Sequence, residues 1–523
     1  MKIMFKNQLK RIGSLALMSA VLLISCTDLE IKETDSIFTD SGEGFDGVAD
    51  PEGALQGLNN NIRGNLEGQD NLFALTEVST DETFVPTRGT DWGDNGIWRV
   101  LHQHTWTPSH NYVLSVWNQW NQNIFNASEI IDGRSNASSE VVAEAKFLRA
   151  FSMFWIMDLY GQVPFREPDE GPEIEPRVLS RVEAYNFILQ DLDDAIAGLP
   201  AGGANNNDLN RFATKASARF LKARVLLNSG VYSGSGAPAT ADLDLVISLV
   251  DEIAADGYGL QEGYFEIFMD SPDNETIWWV SASVGNRMWN GLHYNQTHPD
   301  NGGGGWNGFS TLAEFYDLFE GPPNSNYAGD GQEERRGFVV DPSNAAPDNF
   351  GFGYGMQIGQ MYDGDGNALE DRSANPLVFT RELPGLVGNN ERTGIRTLKY
   401  SPRNGAYTGH QIIFRYADAH LMKAEAYLWK GQDGTALDMV NDLRAIRDAD
   451  PLGSISTEIM LDERARELYH EFIRRTDMIR FGLFTRDWEF KEPGSVGDTN
   501  KNLYPIPSNA LLSNSNLVQN PGY

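Results

Sequence analysis

Five aromatic residues stand in two stretches rich in glycine and polar residues, where a flat ring could be held open for binding. They are Trp92, Trp98, Trp289, Tyr294 and Trp306. Trp306 follows four consecutive glycines, although tryptophan is a large apolar side chain that is mostly kept from water. An indole face binds another flat apolar face by desolvation and dispersion. We therefore predict a ligand-binding site built from these rings, with Arg88, Asp91 and Asn290 as its polar partners.

Other residue types that carry chemistry do not form a recognisable site. The glycines between 303 and 308 match the spacing of a dinucleotide-binding loop, but no buried strand precedes them. The segment 363–374 begins like a calcium loop, yet it lacks glycine at the sixth position and glutamate at the twelfth. The histidines at 102, 104 and 110 fit no standard zinc spacing and have no cysteine partners. We predict no metal site and no cofactor.

The start of the chain has the pattern of an export signal. Residues 1–25 combine four positive charges with an apolar stretch at 12–24, which is shorter than a membrane-spanning helix. Cys26 is the sole cysteine and follows this stretch directly, in the position of the cysteine in a bacterial lipobox. The sequence therefore predicts a lipoprotein signal peptide at 1–25, lipidation of Cys26, for example by palmitate, and an acidic tether at 26–49.

Composition restricts the partners of this protein. The chain has 523 residues, of which 41% are hydrophobic and 22% charged, as in folded proteins. Its net charge of −32 repels polyanions, although salt screens this repulsion. We predict that the protein does not bind nucleic acid, and that the lipid at Cys26 is its attachment to the membrane.

Helical periodicity dominates both ends of the remaining chain. Apolar residues recur at intervals of three and four in 146–161, and the segments 215–230 and 416–431 add alanines where a second helix must approach closely. We predict helices at 50–66, 111–132, 138–160, 180–198, 212–230, 241–256, 411–430, 433–448 and 458–482. In the last of these, Glu463, Glu467 and Glu471 predict a charged helix face with ion pairs.

The middle of the chain differs in composition, because it is rich in glycine, asparagine, aspartate, proline and aromatic residues and has few segments with helical periodicity. We predict one mainly α domain at 50–523. Its scaffold of tetratricopeptide-like helix pairs covers about 50–256 and 411–523, and an irregular, loop-rich part covers about 257–410. Rigid scaffolds of this kind carry binding residues on their loops.

Several segments, in order along the chain, resemble the SusD/RagB family of outer-membrane lipoproteins of Bacteroidetes-type bacteria. They lie at 116–131, 143–165, 184–200, 414–428, 463–482 and 503–523, and the last contains "YPIP" and "QNPGY". The resemblance implies a tetratricopeptide-like fold without catalytic activity. It also implies that the protein is anchored by lipid in the cell outer membrane and exposed at the cell surface. There it would capture glycan and cover a TonB-dependent transporter of the SusC type during nutrient uptake.

Aromatic rings suit a glycan, because their faces match the C–H faces of pyranose and furanose rings. The acidic chain favours neutral glycans, although arginines could reverse this preference locally. Two alternatives remain. The RagB side of the family suggests peptide as the cargo, and extended peptides also dock on aromatic residues. A surface glycoside hydrolase would need two carboxylates about 5 to 10 Å apart across a cleft. The acidic pair beside the aromatic residues is Asp81 with Glu82, and adjacent residues rarely lie on opposite sides of one glycosidic bond.

Overall fold

Long helices form the scaffold of the protein in the computed structural model, which describes residues 45–171, 173–400 and 405–523. The predicted signal peptide, Cys26 and nearly all of the predicted tether lie outside the described residues. Residues 45–523 form one compact unit. The main helices are α1 (Pro51–Glu67), α2 (Asn111–Ile131), α3 (Ser139–Tyr160), α4 (Arg181–Gly198), α5 (Lys215–Leu227), α6 (Thr240–Ala255), α7 (Tyr416–Trp429), α8 (Asp433–Ala445), α9 (Thr457–Leu468), α10 (Arg474–Arg480) and α11 (Ser508–Ser513).

Local sequence signals define where these helices begin. Ser138 caps α3 by accepting a hydrogen bond from the Val141 backbone N–H, at 3.3 Å. Ser180 and Glu183 form a reciprocal capping box at the start of α4. Such caps satisfy backbone N–H groups that have no partner within the helix, so each helix begins at a defined residue.

The helices pack on one another in chain order, and α3 is buried along most of its length. Helix α2 packs on α3, α3 on α4, α5 on α6, α6 on α7 and α7 on α8. Aromatic side chains fill the centre, where Trp155 and Phe151 of α3 contact Trp120 of α2. The prediction of a mainly α fold built from helix pairs is confirmed. No helix in the described part of the chain is long and apolar enough to cross a membrane.

The segment 257–410 contains short strands joined by turns and packs around a core of its own. This core includes Phe268, Trp289, Tyr316, Tyr354 and Met356. The strands of the whole protein are β1 (Gln162–Phe165), β2 (Arg177–Ser180), β3 (Thr276–Val280), β4 (Thr297–His298), β5 (Gly303–Gly304), β6 (Gly337–Phe338), β7 (Tyr354–Gln357), β8 (Gly359–Gln360), β9 (Val378–Phe379), β10 (Arg396–Leu398) and β11 (Gln411–Arg415). They pair antiparallel as β1–β2, β3–β11, β4–β5 and β8–β9, and as the three-stranded order β10–β7–β6.

Two of the predicted helices differ from the structure. The helix predicted at 411–430 begins as strand β11 and becomes helical at Tyr416, because a short, continuous apolar run fits a buried strand as well as a helix. The helix predicted at 458–482 is divided into α9 and α10. Between them His470 and Phe472 have φ angles of +60° and +64°, which no α-helix tolerates.

The charged helix face predicted at Glu463, Glu467 and Glu471 is not exposed to solvent along α9. Glu463 and Glu467 are fully buried and bind arginines from three distant segments: Arg335 of the loop-rich part, Arg415 at the end of β11 and Arg447 after α8. Glu463 also pairs with Arg466 of the same helix, as the sequence predicts, but the other ion pairs join α9 to distant segments inside the protein. A charge removed from such a network would leave its partner buried and unpaired.

Candidate functional site

Trp306 lies at the surface, with 40% of its area exposed. The glycines before it allow a hairpin in which β5 pairs with β4 and the backbone passes very close to its neighbours. A Cβ atom at Gly304 would lie 1.7 Å from the carbonyl oxygen of Tyr294, so a larger residue cannot occupy this position without moving the backbone. The Trp306 N–H donates to the carbonyl oxygen of Trp289, at 2.6 Å. The glycine run therefore fixes the backbone from which the exposed ring projects.

Trp92 lies directly beside this hairpin. Its indole Nε1 donates to the carbonyl oxygen of Trp306, at 2.8 Å. Its ring packs against Gly308, where a Cβ atom would lie 2.3 Å from the indole. Trp92 is half-buried and has a φ of +59°, a conformation that is strained for a bulky residue. The loop 88–92 thus places the Trp92 indole against the backbone of Trp306, from a position far away in sequence.

Tyr294, Asp91 and Arg372 form a polar edge next to the two indoles. The Asp91 carboxylate accepts from the Tyr294 hydroxyl at 2.6 Å and from Arg372 Nη2 at 3.1 Å. The Arg372 guanidinium lies 3.8 Å from the centre of the Tyr294 ring, and its Nε donates to Glu391 Oε1 at 2.6 Å. Burial and the hydrogen bond to Asp91 raise the pKa of Tyr294, so its hydroxyl remains a donor at neutral pH.

We call Trp92, Tyr294 and Trp306, with Asp91 and Arg372, the aromatic platform. It presents an exposed indole and two half-buried rings beside charged hydrogen-bonding groups. Such a surface can bind a flat apolar face while its edge binds hydroxyl groups. Arg372 was missed in the sequence, because it lies in a turn-like segment 281 residues from Asp91 and no local pattern connects the two.

Four of the predicted site residues are buried, so the structure does not place them on the exposed surface where the sequence predicts ligand contact. Trp98 is only 2% exposed, because its ring packs between Tyr112 and Phe309 and its Nε1 donates to Asp94. Trp289 belongs to the core of the loop-rich part. The neighbouring Asn290 is fully buried and its backbone oxygen accepts hydrogen bonds from the hairpin, at Gly308 and Phe309.

Arg88, the fourth of these residues, has a structural role. Its guanidinium donates to Ser310 Oγ at 2.7 Å, to the Thr393 carbonyl oxygen at 2.7 Å and to the Asn390 carbonyl oxygen at 2.8 Å. It therefore joins three loops behind the platform. Burial lowers the pKa of Arg88 to about 9, which leaves it charged at neutral pH. The backbones of Arg88 and Asp91 pair with each other and form the tight turn that presents Trp92.

The adjacent carboxylates Asp81 and Glu82 do not reach the surface. Asp81 binds Arg474 and Arg486, each at 2.7 Å, and Glu82 accepts a hydrogen bond from the His470 backbone N–H at 2.6 Å. Both side chains are buried, so neither can flank a bond in a bound glycan. Within the described residues, no group of three or more histidine, cysteine or acidic side chains could hold a metal ion.

Comparisons with known proteins cover most of the chain. A family model described as "SusD family" matches residues 274–523, and one described as "Susd and RagB outer membrane lipoprotein" matches residues 90–228. The starch-binding protein SusD of Bacteroides thetaiotaomicron is 26% identical over the full length of both chains. SusD-like protein P2 of Formosa agariphila is 25% identical over 96% of this chain and 97% of its own.

Solved structures share the fold. A SusD-like protein from Bacteroides fragilis superposes with a TM-score of 0.68 at 21% identity, covering 93% of this chain and 98% of its own. A laminarin binding SusD-like protein superposes with a TM-score of 0.66 at 20% identity, covering 92% of this chain and 100% of its own. At these identities the similarity establishes the helical scaffold with its loop-rich half, whereas the platform has to be judged from its own geometry.

Proposed function

This chain belongs to the SusD/RagB family of outer membrane lipoproteins, and from that premise we propose that it captures glycans at the cell surface and passes them to a SusC-type TonB-dependent transporter. The observation that carries the proposal is the exposed indole of Trp306, held by a hairpin beside Trp92 and Tyr294. The name of the starch-binding relative supports a carbohydrate as the cargo. Capture without catalysis accords with the burial of Asp81 and Glu82.

Stacking on the platform supplies a moderate binding free energy. If a sugar ring covers about 50 to 100 Å² of an aromatic face, the burial contributes roughly 1 to 2.5 kcal/mol per ring. Contacts with two or three rings contribute about 2 to 7.5 kcal/mol before the cost of association. Hydrogen bonds at the edge of the platform must therefore add to stacking if the dissociation constant is to reach about 1 mM or less. Such affinity retains a glycan near the membrane and still allows its transfer to a second protein.

The charges of the platform favour a neutral glycan. Arg372 is already paired with Asp91 and Glu391, at 3.1 and 2.6 Å, so it has no unpaired charge to offer an anionic sugar. The net charge of −32 on the whole chain further disfavours polyanions. Sugar hydroxyls, by contrast, can accept from the guanidinium and donate to the carboxylates at the edge of the platform.

The proposed place of action is the outer face of the outer membrane. The lipobox-like sequence that ends at Cys26 predicts a lipid anchor, and the matched family is described as one of outer membrane lipoproteins. Labelling with a palmitate analogue, followed by Cys26→Ser, tests the anchor. Protease treatment of intact cells tests whether the protein faces outward.

Affinity electrophoresis of the purified protein tests the cargo. The gels contain neutral polysaccharides (starch, laminarin, xyloglucan and inulin) or anionic ones (alginate and pectin). We expect retardation by at least one neutral polysaccharide, and loss of that retardation in Trp306→Ala protein. Phe212→Ala is the matched control, because Phe212 is 46% exposed but lies outside the platform. Retardation by none of the polysaccharides, together with binding to a peptide panel, would instead support the peptide alternative, and released reducing ends would indicate hydrolysis.

A further inference from the structure

A second open cleft lies between helix α2, strand β1 and the C-terminal helix α11. It shares no lining residue with the aromatic platform. Its volume of about 640 Å³ is within the roughly 300 to 1,000 Å³ typical of small-molecule sites. The cleft is therefore large enough for a short oligosaccharide.

Carboxamide side chains line this cleft on two sides. Asn118, Asn121 and Gln122 lie on one face of α2, since residues three and four apart in a helix are neighbours. Asn509 of α11 and the following Asn514 line the opposite side. Each carboxamide has both a donor and an acceptor, which are the groups that a sugar hydroxyl needs.

An aromatic side chain completes the lining. Phe125 lies one turn beyond Asn121 on α2, is half-buried and forms part of the cleft wall. A phenyl ring surrounded by carboxamides gives an apolar face and polar edges, as the aromatic platform does with different residues. The two surfaces thus offer the same combination of chemical groups.

Two buried polar atoms of the lining have no hydrogen-bond partner among the described residues: Asn121 Oδ1, an acceptor, and Arg166 Nε, a donor. Buried polar groups in proteins are nearly always hydrogen-bonded, and leaving one unpaired destabilises the protein by about 1 to 3 kcal/mol. The residues of the lining therefore keep hydrogen-bonding capacity that the described part of the protein does not use, although these two atoms are themselves covered in this conformation.

The charge of the cleft indicates a neutral ligand. Within the part of the chain that the structure describes, the lining has no carboxylate, and Arg166 is its one ionised side chain. Because the protein as a whole has a net charge of −32, a cleft free of carboxylates is a local exception. Arg166 disfavours a cationic ligand, and the net charge of −32 on the whole chain disfavours a polyanion, so a neutral ligand is favoured.

Hydrogen bonds hold the walls of the cleft in place without a ligand. Asn514 Nδ2 donates to the Pro176 carbonyl oxygen at 2.9 Å, and the Ser515 N–H donates to a carboxylate oxygen of Glu175 at 2.9 Å. Gln162 of β1 donates to the Val518 carbonyl oxygen at 2.6 Å. The C-terminal wall is thus joined to strand β1 and to the segment before β2, and a preorganised site loses less entropy when it binds.

We propose that this cleft is a second glycan-binding site, which takes a short stretch of a neutral oligosaccharide. The nature of the ligand rests on the proposed function, whereas the existence of the site rests on the cleft itself. Two sites on one protein retain a long glycan more strongly than either does alone, because binding at one raises the effective concentration at the other.

The test measures binding of maltoheptaose and laminariheptaose by saturation-transfer NMR, and of starch and laminarin by affinity electrophoresis. The proteins are wild type, Trp306→Ala, Asn118→Ala/Asn509→Ala and the combined triple variant. Asn118 and Asn509 are exposed, so their replacement leaves the core intact, and circular dichroism checks the fold. Leu512→Ser is the control, since Leu512 is on the same helix as Asn509 and 88% exposed but does not line the cleft.

We expect Trp306→Ala protein to retain weak binding of one oligosaccharide, and the triple variant to bind it at least about tenfold more weakly. Equal affinity of these two proteins would overturn the second site, as would complete loss of binding in Trp306→Ala alone. If Trp306→Ala binds like wild type while the cleft variant is weakened, the cleft is supported and the platform is refuted. The same gels include xyloglucan and inulin, and failure of wild type to bind any of these neutral glycans would refute both sites.

Discussion

Replacing Trp306 with alanine is the most direct test of the platform, because it removes an exposed ring with little effect on the fold. About 40% of the residue is exposed. Since a tryptophan side chain presents up to about 250 Å², the accessible part of the ring is about 100 Å². At 25 cal/mol per Å², complete coverage by a sugar contributes up to about 2.5 kcal/mol. We therefore expect the dissociation constant for the preferred glycan to rise by about 10-fold to 70-fold.

The structure also gives the reason why this variant should fold. The hydrogen bonds of Trp306 to Trp92 and Trp289 use its backbone carbonyl and N–H groups, which alanine retains. We expect the free energy of unfolding to change by less than about 0.5 kcal/mol, as for most surface substitutions. Trp92→Ala is different, because it removes packing against Gly308 as well as a binding face.

Isothermal titration calorimetry with an oligosaccharide of the retarding polysaccharide measures the effect, and urea unfolding measures stability. Phe212→Ala serves as the control in both experiments, because it removes an exposed aromatic ring from another surface. A change of less than twofold in the dissociation constant of Trp306→Ala, in protein of unchanged stability, would refute the role of the platform.

Three further predictions concern the framework around the platform. Glu467→Gln should lower the free energy of unfolding by about 3 to 5 kcal/mol in urea titrations, because Arg415 and Arg447 would lose a buried partner; a loss below 1 kcal/mol would contradict this. Gly304→Ala should weaken glycan binding while circular dichroism remains unchanged, since its Cβ would displace the hairpin at Tyr294; binding equal to wild type would show that the hairpin adapts. Burial raises the pKa of Glu82 from 4.5 to about 7, so the folded protein binds the proton more tightly than the unfolded chain does. The stability that protonated Glu82 contributes is therefore fully present below pH 4.5. It is lost as the pH rises to about 7. The stability difference between wild type and Glu82→Gln should therefore change across this window in urea titrations, and a constant difference would contradict the assignment.

The sequence was informative about features that depend on neighbouring residues. Apolar spacing located most of the long helices, and caps such as Ser180 with Glu183 lie where helices begin. The glycine run was likewise a reliable sign of an unusual backbone next to Trp306. For single aromatic residues the sequence shows the residue type but not its environment, so Trp98 and Trp306 look alike although one is buried and the other exposed.

By itself, then, the amino-acid sequence determined the helical scaffold, the loop-rich middle and the family, because periodicity, capping and ordered motifs are recorded along the chain. Only the tertiary structure decided which rings remain open, since Trp98 is covered by Tyr112 and Phe309 from other segments. It also decided that Arg372 pairs with Asp91 across 281 residues. The physical reason is that the burial and the charge environment of a side chain depend on groups that are close in space, and most of these groups are distant in sequence.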